Sequence, residues 1–320
     1  MVLGNDSKKY SIIIRCYNEE KHLGKLLDGV FSQTILPSEV VIVDSGSTDR
    51  TVEIANSYNV TVVNIKKDEF SFGRALNLGL AATNSPYALI ASAHVFPHFK
   101  TWAEMMLNHF QDPSVGIVYG KQRGLDSSYF SENQLFLRWF PDHRDLNQSH
   151  PFCNNANAMI RRQLWNQFPY DESLTGLEDL EFAKRIAQAQ FKIVYEPMAV
   201  ITHVHEETYR KIMNRYYRES LALKRIFPEE KFGKREFFHL LFKNLANDLS
   251  AAISQKALWT NLLPIIGFRV MQFIGTYKGF NAEPRMISEL KERFYYPPDR
   301  TRAIDHPIPL DHLSIQYNER

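Results

Sequence analysis

The chain contains little cysteine and no long apolar run, and each absence excludes a class of protein. Only Cys16 and Cys153 are present among 320 residues, which argues against a disulfide framework or a zinc–cysteine cluster and favours a reducing compartment. The most apolar stretch, residues 258–280, is interrupted by polar and charged residues and by Pro264, so a membrane-spanning helix is not expected. Because the N-terminus also lacks the apolar core of a signal peptide, we expect a cytoplasmic protein, soluble or peripheral at the inner face of the membrane.

A large excess of charge of either sign is missing as well. The net charge of +2, with 44% hydrophobic and 23% charged residues, is ordinary for a globular protein and gives no reason to expect a nucleic-acid partner. The distribution is uneven, because residues 1–205 carry 19 Lys and Arg against 22 Asp and Glu, whereas residues 206–300 carry 17 against 11. The basic segment indicates either an anionic neighbour, such as a membrane surface or a phosphorylated substrate, or a solvated helical face.

Short apolar strands alternate with amphipathic helices in the first 205 residues. The apolar runs lie at 11–14, 40–43, 60–63 and 87–91. Because segments such as 23–31 and 74–82 between them have helical spacing, the order predicts an α/β fold with a mostly parallel sheet flanked by helices. Ligands of such sheets bind beyond the carboxyl ends of the strands. Polar clusters containing Tyr17, Asp44 and His94 follow these runs, so the functional site is expected there.

Beyond residue 205 the pattern changes to helical spacing alone. We predict three helices, at 209–226, 237–253 and 258–277, followed by an extended or partly disordered tail from residue 295. The chain is thus divided into an α/β domain, residues 1–205, and a C-terminal helical region with an extended tail, residues 206–320.

Two strand ends carry the most specific signal. IIIRCYNEE and VIVDSGSTD lie about 25 residues apart. A carboxylate at a strand tip can accept a hydrogen bond from a base, and an aromatic ring can stack on it, although Asp44 and the residues after it would also fit a turn with a helix cap. YNEE followed by VDSGSTDRT resembles the N-terminal signature of family 2 glycosyltransferases, inverting enzymes of the GT-A (Rossmann-like) fold. The resemblance covers roughly residues 10–205 and implies that the domain of residues 1–205 is the catalytic one.

The resemblance implies a nucleotide-sugar site at these strand ends. In the family, the two segments bind the nucleotide of a sugar donor, so Tyr17 and Glu19 would line the base and ribose and Asp44 would hold the base. Arg74 would donate to a phosphate or the base, or it is a surface helix arginine. The residues assigned to this donor site are Tyr17, Glu19, Asp44, Ser45, Arg74, Asn77 and Ser92.

The segment TGLEDLEF, residues 175–182, contains two adjacent carboxylates. At a helix start they would be stabilised by the helix dipole alone. The resemblance implies more, because the family carries a Glu-Asp pair here whose Asp is the general base. An inverting transfer needs a base that removes the proton of the acceptor hydroxyl during attack on the anomeric carbon. Asp179 is therefore the predicted base, and Glu178 is predicted to orient the acceptor or the loop.

Ser92-Ala93-His94 stands where the resembled family carries Asp-x-Asp to hold a divalent cation. The resemblance implies that His94 replaces the last aspartate and that His203, or as a second choice His205, completes the metal site. Imidazole suits Mn²⁺ better than Mg²⁺. Three interpretations stay open: His94 and His203 bind Mn²⁺ with the diphosphate, His94 and Arg74 with other cations stabilise the diphosphate without metal, or catalysis is lost.

We therefore expect a non-processive inverting glycosyltransferase of bacterial capsule or O-antigen biosynthesis. It would move a hexosyl or deoxyhexosyl group, with rhamnose by similarity only, from a UDP- or dTDP-sugar to a saccharide or lipid-linked saccharide. Residues 134–139 have the wrong length and position for the Gln-x-x-Arg-Trp motif of processive enzymes. The alternative is a non-catalytic sugar-nucleotide-binding or assembly subunit. Residues 206–300 would contact a membrane peripherally, or form a helical lid or the surface of a homo-oligomer.

Overall fold

The computed structural model describes residues 9–282, and its centre is one eight-stranded sheet with the strand order β3-β2-β1-β4-β7-β6-β8-β5. The strands are β1 (Tyr10–Cys16), β2 (Glu39–Asp44), β3 (Thr61–Asn64), β4 (Tyr87–Ser92), β5 (Val95–Pro97), β6 (Val115–Arg123), β7 (Asn157–Arg161) and β8 (Lys192–His203). The helices are α1 (Leu23–Phe31), α2 (Thr51–Asn56), α3 (Phe72–Ala81), α4 (Trp102–Leu107), α5 (Phe130–Trp139), α6 (Arg162–Gln167), α7 (Glu178–Gln188), α8 (Tyr209–Ile226), α9 (Lys234–Ser254) and α10 (Leu258–Phe280).

The expected α/β fold is confirmed, and the sheet as a whole is mixed. β1 pairs in parallel with β2 and β4, and β2 pairs in parallel with β3, as the alternating pattern predicts. β7 runs antiparallel to both β4 and β6, and β5 runs antiparallel to β8. β6 and β8 pair in parallel, so the half of the sheet from β3 to β4 is wholly parallel, whereas the other half is mixed.

Two apolar layers cover the two faces of the sheet. Ile12 and Ile14 of β1 lie in the layer that contains α1, whereas Ile13 lies in the layer that contains α3, because successive strand residues point to opposite faces. Helix α3 comes unusually close to the strands at Gly79, where an added Cβ would lie 2.5 Å from Ile13. This close packing fixes α3 beneath the carboxyl ends of β1 and β2.

The three predicted C-terminal helices are present as α8, α9 and α10. Helix α10 runs along α8, and Gly275 allows the approach, since a Cβ there would lie 2.3 Å from the carbonyl oxygen of Met213. Ile212 and Phe268 form a small core with Leu135 of α5, so α8 and α10 pack against the sheet-containing part of the chain. The tail predicted from residue 295 lies outside the described residues. Between residues 9 and 282, the helices are all too short or too polar to cross a bilayer.

Candidate functional site

The carboxyl ends of β1, β2 and β4 meet at one edge of the sheet. Cys16 lies beside Asp44 in the β1–β2 register, and Arg15 lies beside Ser92 in the β1–β4 register. The Ser45 amide donates to the Cys16 carbonyl at 3.0 Å and joins the two strand ends. The residues that the sequence assigns to donor binding after β1, β2 and β4 are thus brought together from distant parts of the chain.

Asp44 is buried and forms hydrogen bonds within its own turn. Its carboxylate accepts from the amides of Gly46 and Ser47, both at 3.0 Å, and from the Ser47 hydroxyl at 2.5 Å. Gly46 has φ +85°, a conformation that favours glycine. The Ser45 hydroxyl donates to the Cys16 carbonyl at 3.2 Å. A carboxylate offers about four acceptor sites, so Asp44 can close this turn and still accept one bond from a ligand.

Cationic side chains lie beside the predicted nucleotide residues. The Lys67 ammonium is 5.0 Å from the centre of the Tyr17 ring and donates to its hydroxyl at 3.2 Å. Arg74 is half-buried and forms ion pairs with Glu69 at 3.5 Å and Glu172 at 3.3 Å. The pattern did not single out Lys67, because it lies in a short turn without a distinctive motif.

The amide of Asn77 holds the segment after α6. Its nitrogen donates to the Tyr170 carbonyl at 3.0 Å and to Glu172 at 2.9 Å. Its oxygen accepts from the Trp165 indole at 2.9 Å and from the Tyr170 amide at 3.0 Å. In this structure Asn77 therefore fastens α3 to residues 165–172, and its assignment to the donor site stays a prediction.

Three histidines converge at the end of β4 and β8. Strand β5 places Val95 beside His203, and the Val204 amide donates to the His94 carbonyl at 3.0 Å. The rings of His94 and His203 stack with centroids 5.1 Å apart, and the Nε2 atoms of His203 and His205 lie 3.1 Å apart. One ring nitrogen from each of the three lies within 4.8 Å of the others. The second-choice residue His205 thus lies as close to this cluster as the first choice, His203.

Three polar residues surround these imidazoles: Glu19, which the sequence assigns to the donor site, and Gln122 and Glu132, which the sequence did not reveal. Glu19 lies 2.7 Å from Nδ1 of His94, Gln122 2.8 Å from Nδ1 of His203, and Glu132 2.7 Å from Nδ1 of His205. Gln122 and Glu132 are separated from their histidines by 81 and 73 residues, so no local pattern could have linked them.

The electrostatics of the cluster differ from one histidine to the next. Burial lowers the pKa of His203 well below its ordinary value, and the neighbouring His205 lowers it further. Burial also lowers the pKa of His94, but the charge and hydrogen bond of Glu19 outweigh it, so the net pKa is raised. Burial raises the pKa of Glu132, yet His205 and Arg215 more than compensate and bring it down to about 2. Glu132 is therefore an anion that orients a histidine.

Asp179 lies at the start of α7 with its carboxylate held by two amides. It accepts from Asn155 at 3.1 Å and from Leu180 at 2.8 Å. Burial, followed by the charge of Glu178, raises its pKa to about 7. A carboxylate with such a pKa can take up a proton near neutral pH, as a general base must.

Arg15 connects this carboxylate pair to the strand ends. Its guanidinium lies 2.9 Å from Glu178 and 4.7 Å from the centre of the Phe72 ring. It is close enough to lower the pKa of both Asp179 and His94 by its charge. Arg15 therefore lies between the predicted base and the histidine cluster. The sequence offered one signal that could have identified Arg15, since it is a lone cation directly after the apolar run 11–14 of β1.

Comparison with known proteins identifies relatives of this chain. Residues 11–168 match the model of the glycosyl transferase family 2. The O-antigen chain rhamnosyltransferase RfbN of Salmonella typhimurium is 26% identical over 223 residues, which cover 65% of this chain and 70% of that protein. The O-antigen chain rhamnosyltransferase WbaN of Salmonella anatum is 29% identical over 198 residues, 58% of this chain and 62% of that protein.

Solved structures share the fold at low sequence identity. A mannosyltransferase from Pyrobaculum calidifontis, PcManGT, in complex with GDP-Man and Mn²⁺, has a TM-score of 0.56 and 19% identity, covering 84% of this chain and 86% of that one. S. aureus TarS 1–349 in complex with UDP-GlcNAc has a TM-score of 0.53 and 16% identity, covering 89% and 91%. The expected GT-A fold is therefore confirmed.

Proposed function

Because residues 11–168 of this chain belong to glycosyl transferase family 2, we propose that it is an inverting, non-processive glycosyltransferase of cell-surface polysaccharide biosynthesis. The observation that carries the proposal is the pKa of about 7 of the Asp179 carboxylate. Its neighbour Glu178 forms a salt bridge with Arg15 of β1, which connects the start of α7 to the strand ends. The O-antigen activity of two relatives supports the setting. A non-catalytic binding subunit would have no use for a carboxylate poised to exchange a proton at neutral pH.

The reaction follows from the placement of these groups. Asp179 removes the proton of the acceptor hydroxyl, and the oxygen of that hydroxyl forms a bond to the anomeric carbon of the donor sugar. The bond from that carbon to the diphosphate breaks on the opposite face, and the electron pair leaves with the nucleoside diphosphate. The salt bridge between Arg15 and Glu178 holds the start of α7 in place, which keeps the base aligned with the strand ends.

The nucleotide is proposed to lie over β1 and β2. Tyr17 offers a ring for stacking, and Asp44 retains acceptor capacity for a base N–H. Glu19 would contact the ribose, and the Ser45 and Ser92 hydroxyls lie at the ends of β2 and β4. Lys67, which lies against Tyr17, would bring positive charge to the diphosphate, and Arg74 could do so if it left its ion pairs with Glu69 and Glu172.

A divalent cation fits the histidine cluster. His94 and His203, together with His205, present ring nitrogens within 4.8 Å of one another, and nitrogen is a donor that Mn²⁺ accepts. Such a cation would neutralise charge that develops on the diphosphate leaving group. The mannosyltransferase of similar fold was crystallised with Mn²⁺, which supports a metal-dependent reaction over a metal-free one.

The donor can be found by a ligand screen. We propose a UDP- or dTDP-linked sugar, with a deoxyhexose such as rhamnose first, because both O-antigen relatives transfer rhamnose. A correct donor should raise the melting temperature by mass action, and with a saccharide or lipid-linked saccharide acceptor it should yield product only in the wild type. Asp179→Asn should bind the donor without transfer. Full transfer by that variant would contradict the proposed base.

One face of α9 and α10 is proposed to lie on an anionic membrane. Apolar side chains are exposed along it, with Trp259 88% and Leu263 75% accessible, followed by Phe242, Ile253 and Phe238. Exposed cations border them, namely Lys234, Arg235, Lys243 and Lys256. An apolar row bordered by cations is typical of peripheral membrane helices and would bring the site to a lipid-linked acceptor.

Liposome flotation tests this contact directly. The whole chain should float with vesicles that contain phosphatidylglycerol and less with vesicles of phosphatidylcholine alone. The double variant Trp259→Ser, Leu263→Ser should not float, whereas Leu36→Ser, which alters a 57% exposed leucine elsewhere, should behave as wild type. Light scattering that shows a dimer lost in the double variant, without flotation of the wild type, would replace the membrane by a second copy of the chain.

A further inference from the structure

We propose that His94, His203 and His205 form a three-imidazole centre that binds a transition-metal cation through Nε2 and discriminates against Mg²⁺. The proposal rests on the proposed function only for the role of the metal, which is to face the diphosphate. It assigns a third ligand, the chemical class of the cation, and three positioning residues behind the ligands.

Strand pairing brings the three rings together. Strands β5 and β8 pair so that Val95 is opposite His203, and the Val204 amide donates to the carbonyl of His94. The Nε2 atoms of His203 and His205 lie 3.1 Å apart. Two metal–nitrogen bonds of about 2.0–2.1 Å at a tetrahedral angle separate their nitrogens by roughly 3.3 Å. His203 at the end of β8 and His205 just after it are therefore spaced as metal ligands are.

Each ring is oriented by an acceptor on its other nitrogen. Oxygens of Glu19, Gln122 and Glu132 lie at 2.7, 2.8 and 2.7 Å from the three Nδ1 atoms. A neutral imidazole that donates through Nδ1 carries its lone pair on Nε2. Such acceptors fix the tautomer and increase the basicity of metal-bound histidines. An acceptor that orients an imidazole thus comes from each of three separate elements: the segment after β1, strand β6 and helix α5.

A rival group of ligands, Glu132, His205 and Glu207, fails on charge. The guanidinium of Arg215 lies 2.7 Å from a carboxylate oxygen of both acids. A metal ion there would lie beside a fixed cation and would have to displace it. Among the residues the structure describes, the hydrogen-bond partners of the three imidazoles are a hydroxyl, an amide oxygen, carboxylates and one another, so a cation bound there would displace no guanidinium from a ligand atom.

The donor set decides the class of metal. Mg²⁺ demands hard oxygen ligands, whereas imidazole suits first-row transition cations such as Fe²⁺, Ni²⁺ and Zn²⁺. His203 is buried while His94 and His205 are half-buried, so the centre is closed on the protein side and accessible on the other. Three protein ligands with an open position are typical of catalytic metal sites.

The test is a metal titration of the whole chain after treatment with a chelator. One Co²⁺ per chain should bind and give visible absorption bands, and Mg²⁺ should compete roughly 100-fold less well than Zn²⁺. His205→Ala should abolish the bands, and Glu132→Gln should weaken Co²⁺ binding about 10- to 100-fold. His239→Ala, which removes an exposed histidine on α9, is the matched control and should leave the titration unchanged.

The outcomes separate this inference from the proposed function. Equal competition by Mg²⁺, or an unaltered titration in His205→Ala, would overturn the three-imidazole centre. Cobalt binding as described without any sugar transfer would support the centre and refute the glycosyltransferase proposal. If Glu132→Gln does not fold, Gln122→Leu tests the same orienting role at His203, where the same weakening is expected and unchanged affinity counts against it.

Discussion

The protonation of Asp179 gives the most quantitative prediction. Burial and the neighbouring Glu178 raise its pKa from 3.8 to about 7, roughly three units. At about 1.4 kcal/mol per unit, the charged form is disfavoured by up to ~4 kcal/mol relative to an exposed aspartate. Because part of the side chain is accessible, a smaller value of about 2 kcal/mol is realistic.

The sign of the pH dependence follows from that shift. In the folded chain Asp179 holds its proton to higher pH than in the unfolded chain, so this group lowers the free energy of unfolding as pH rises from about 4 to about 7. Catalysis has the opposite trend, because only the deprotonated carboxylate accepts a proton. kcat/KM should therefore rise tenfold per pH unit below about 7 and level off above it.

Asp179→Asn tests both consequences at once. We expect kcat/KM to fall about 100- to 10,000-fold and the acidic limb of the profile, the rise with pH below about 7, to vanish. The melting temperature at pH 8 should not fall, since a disfavoured charge is removed. Glu181→Gln, which loses only a helix-surface pair with Arg185, is the control and should keep the limb. A wild-type profile without a limb between pH 6 and 8, or turnover retained in Asp179→Asn, would refute the reasoning.

Three further changes have measurable outcomes. Tyr17→Ala should weaken nucleoside diphosphate binding about 5- to 150-fold in calorimetry, because base stacking contributes about 1–3 kcal/mol, and unchanged affinity would remove Tyr17 from the site. Arg269→Leu should lower the free energy of unfolding by about 3 kcal/mol in urea, because it leaves the fully buried Asp248 with only the longer pair to Arg138 at 3.4 Å, and the loss should shrink when Asp248→Leu is added. Gly275→Ala should destabilise by about 1–3 kcal/mol because its Cβ meets the α8 backbone at 2.3 Å, whereas at Gly176 the nearest atom is 4.0 Å away and the same change should cost less.

Local patterns were sufficient to predict the elements up to residue 91 and beyond residue 206, since period-2 and period-3.6 spacing are properties of neighbouring residues; β5, β6, β7 and helices α4 to α6 were not predicted. The four apolar runs up to residue 91 became β1 to β4, and the three C-terminal helices begin and end close to the expected residues. The mixed half of the sheet, in which β7 runs antiparallel to β4 and β6 while β6 runs parallel to β8, was not predictable in the same way. Its direction depends on β7 pairing with both β4 and β6, and nothing in the short run Asn157–Arg161 specifies those partners.

The same limit applies to the site. The motifs led to Asp44, Asp179 and His94 because each follows a recognisable strand or helix signal. Arg15 pairs with Glu178 across 163 residues, and no periodicity connects positions so far apart. Asp44 shows a different limit, because the same carboxylate fits two interpretations of the sequence, a turn and a nucleotide contact. The structure shows that it closes the turn. The proposed contact with a base is compatible with that role.

At the proposed metal position, Ser92-Ala93-His94 in place of Asp-x-Asp would change the charge of the site as well as its ligands. Two carboxylates beside a divalent cation would cancel its charge, whereas neutral imidazoles leave that charge to act on the diphosphate. Two carboxylates lie behind the imidazoles instead of at the proposed metal position, because Glu19 and Glu132 lie 2.7 Å from Nδ1 of His94 and His205. From there they increase the donor strength of the imidazoles without occupying a position at the metal. If the proposed centre binds a cation, we therefore expect one with affinity for nitrogen, whose charge would act more strongly on the leaving group than that of a cation held by two carboxylates.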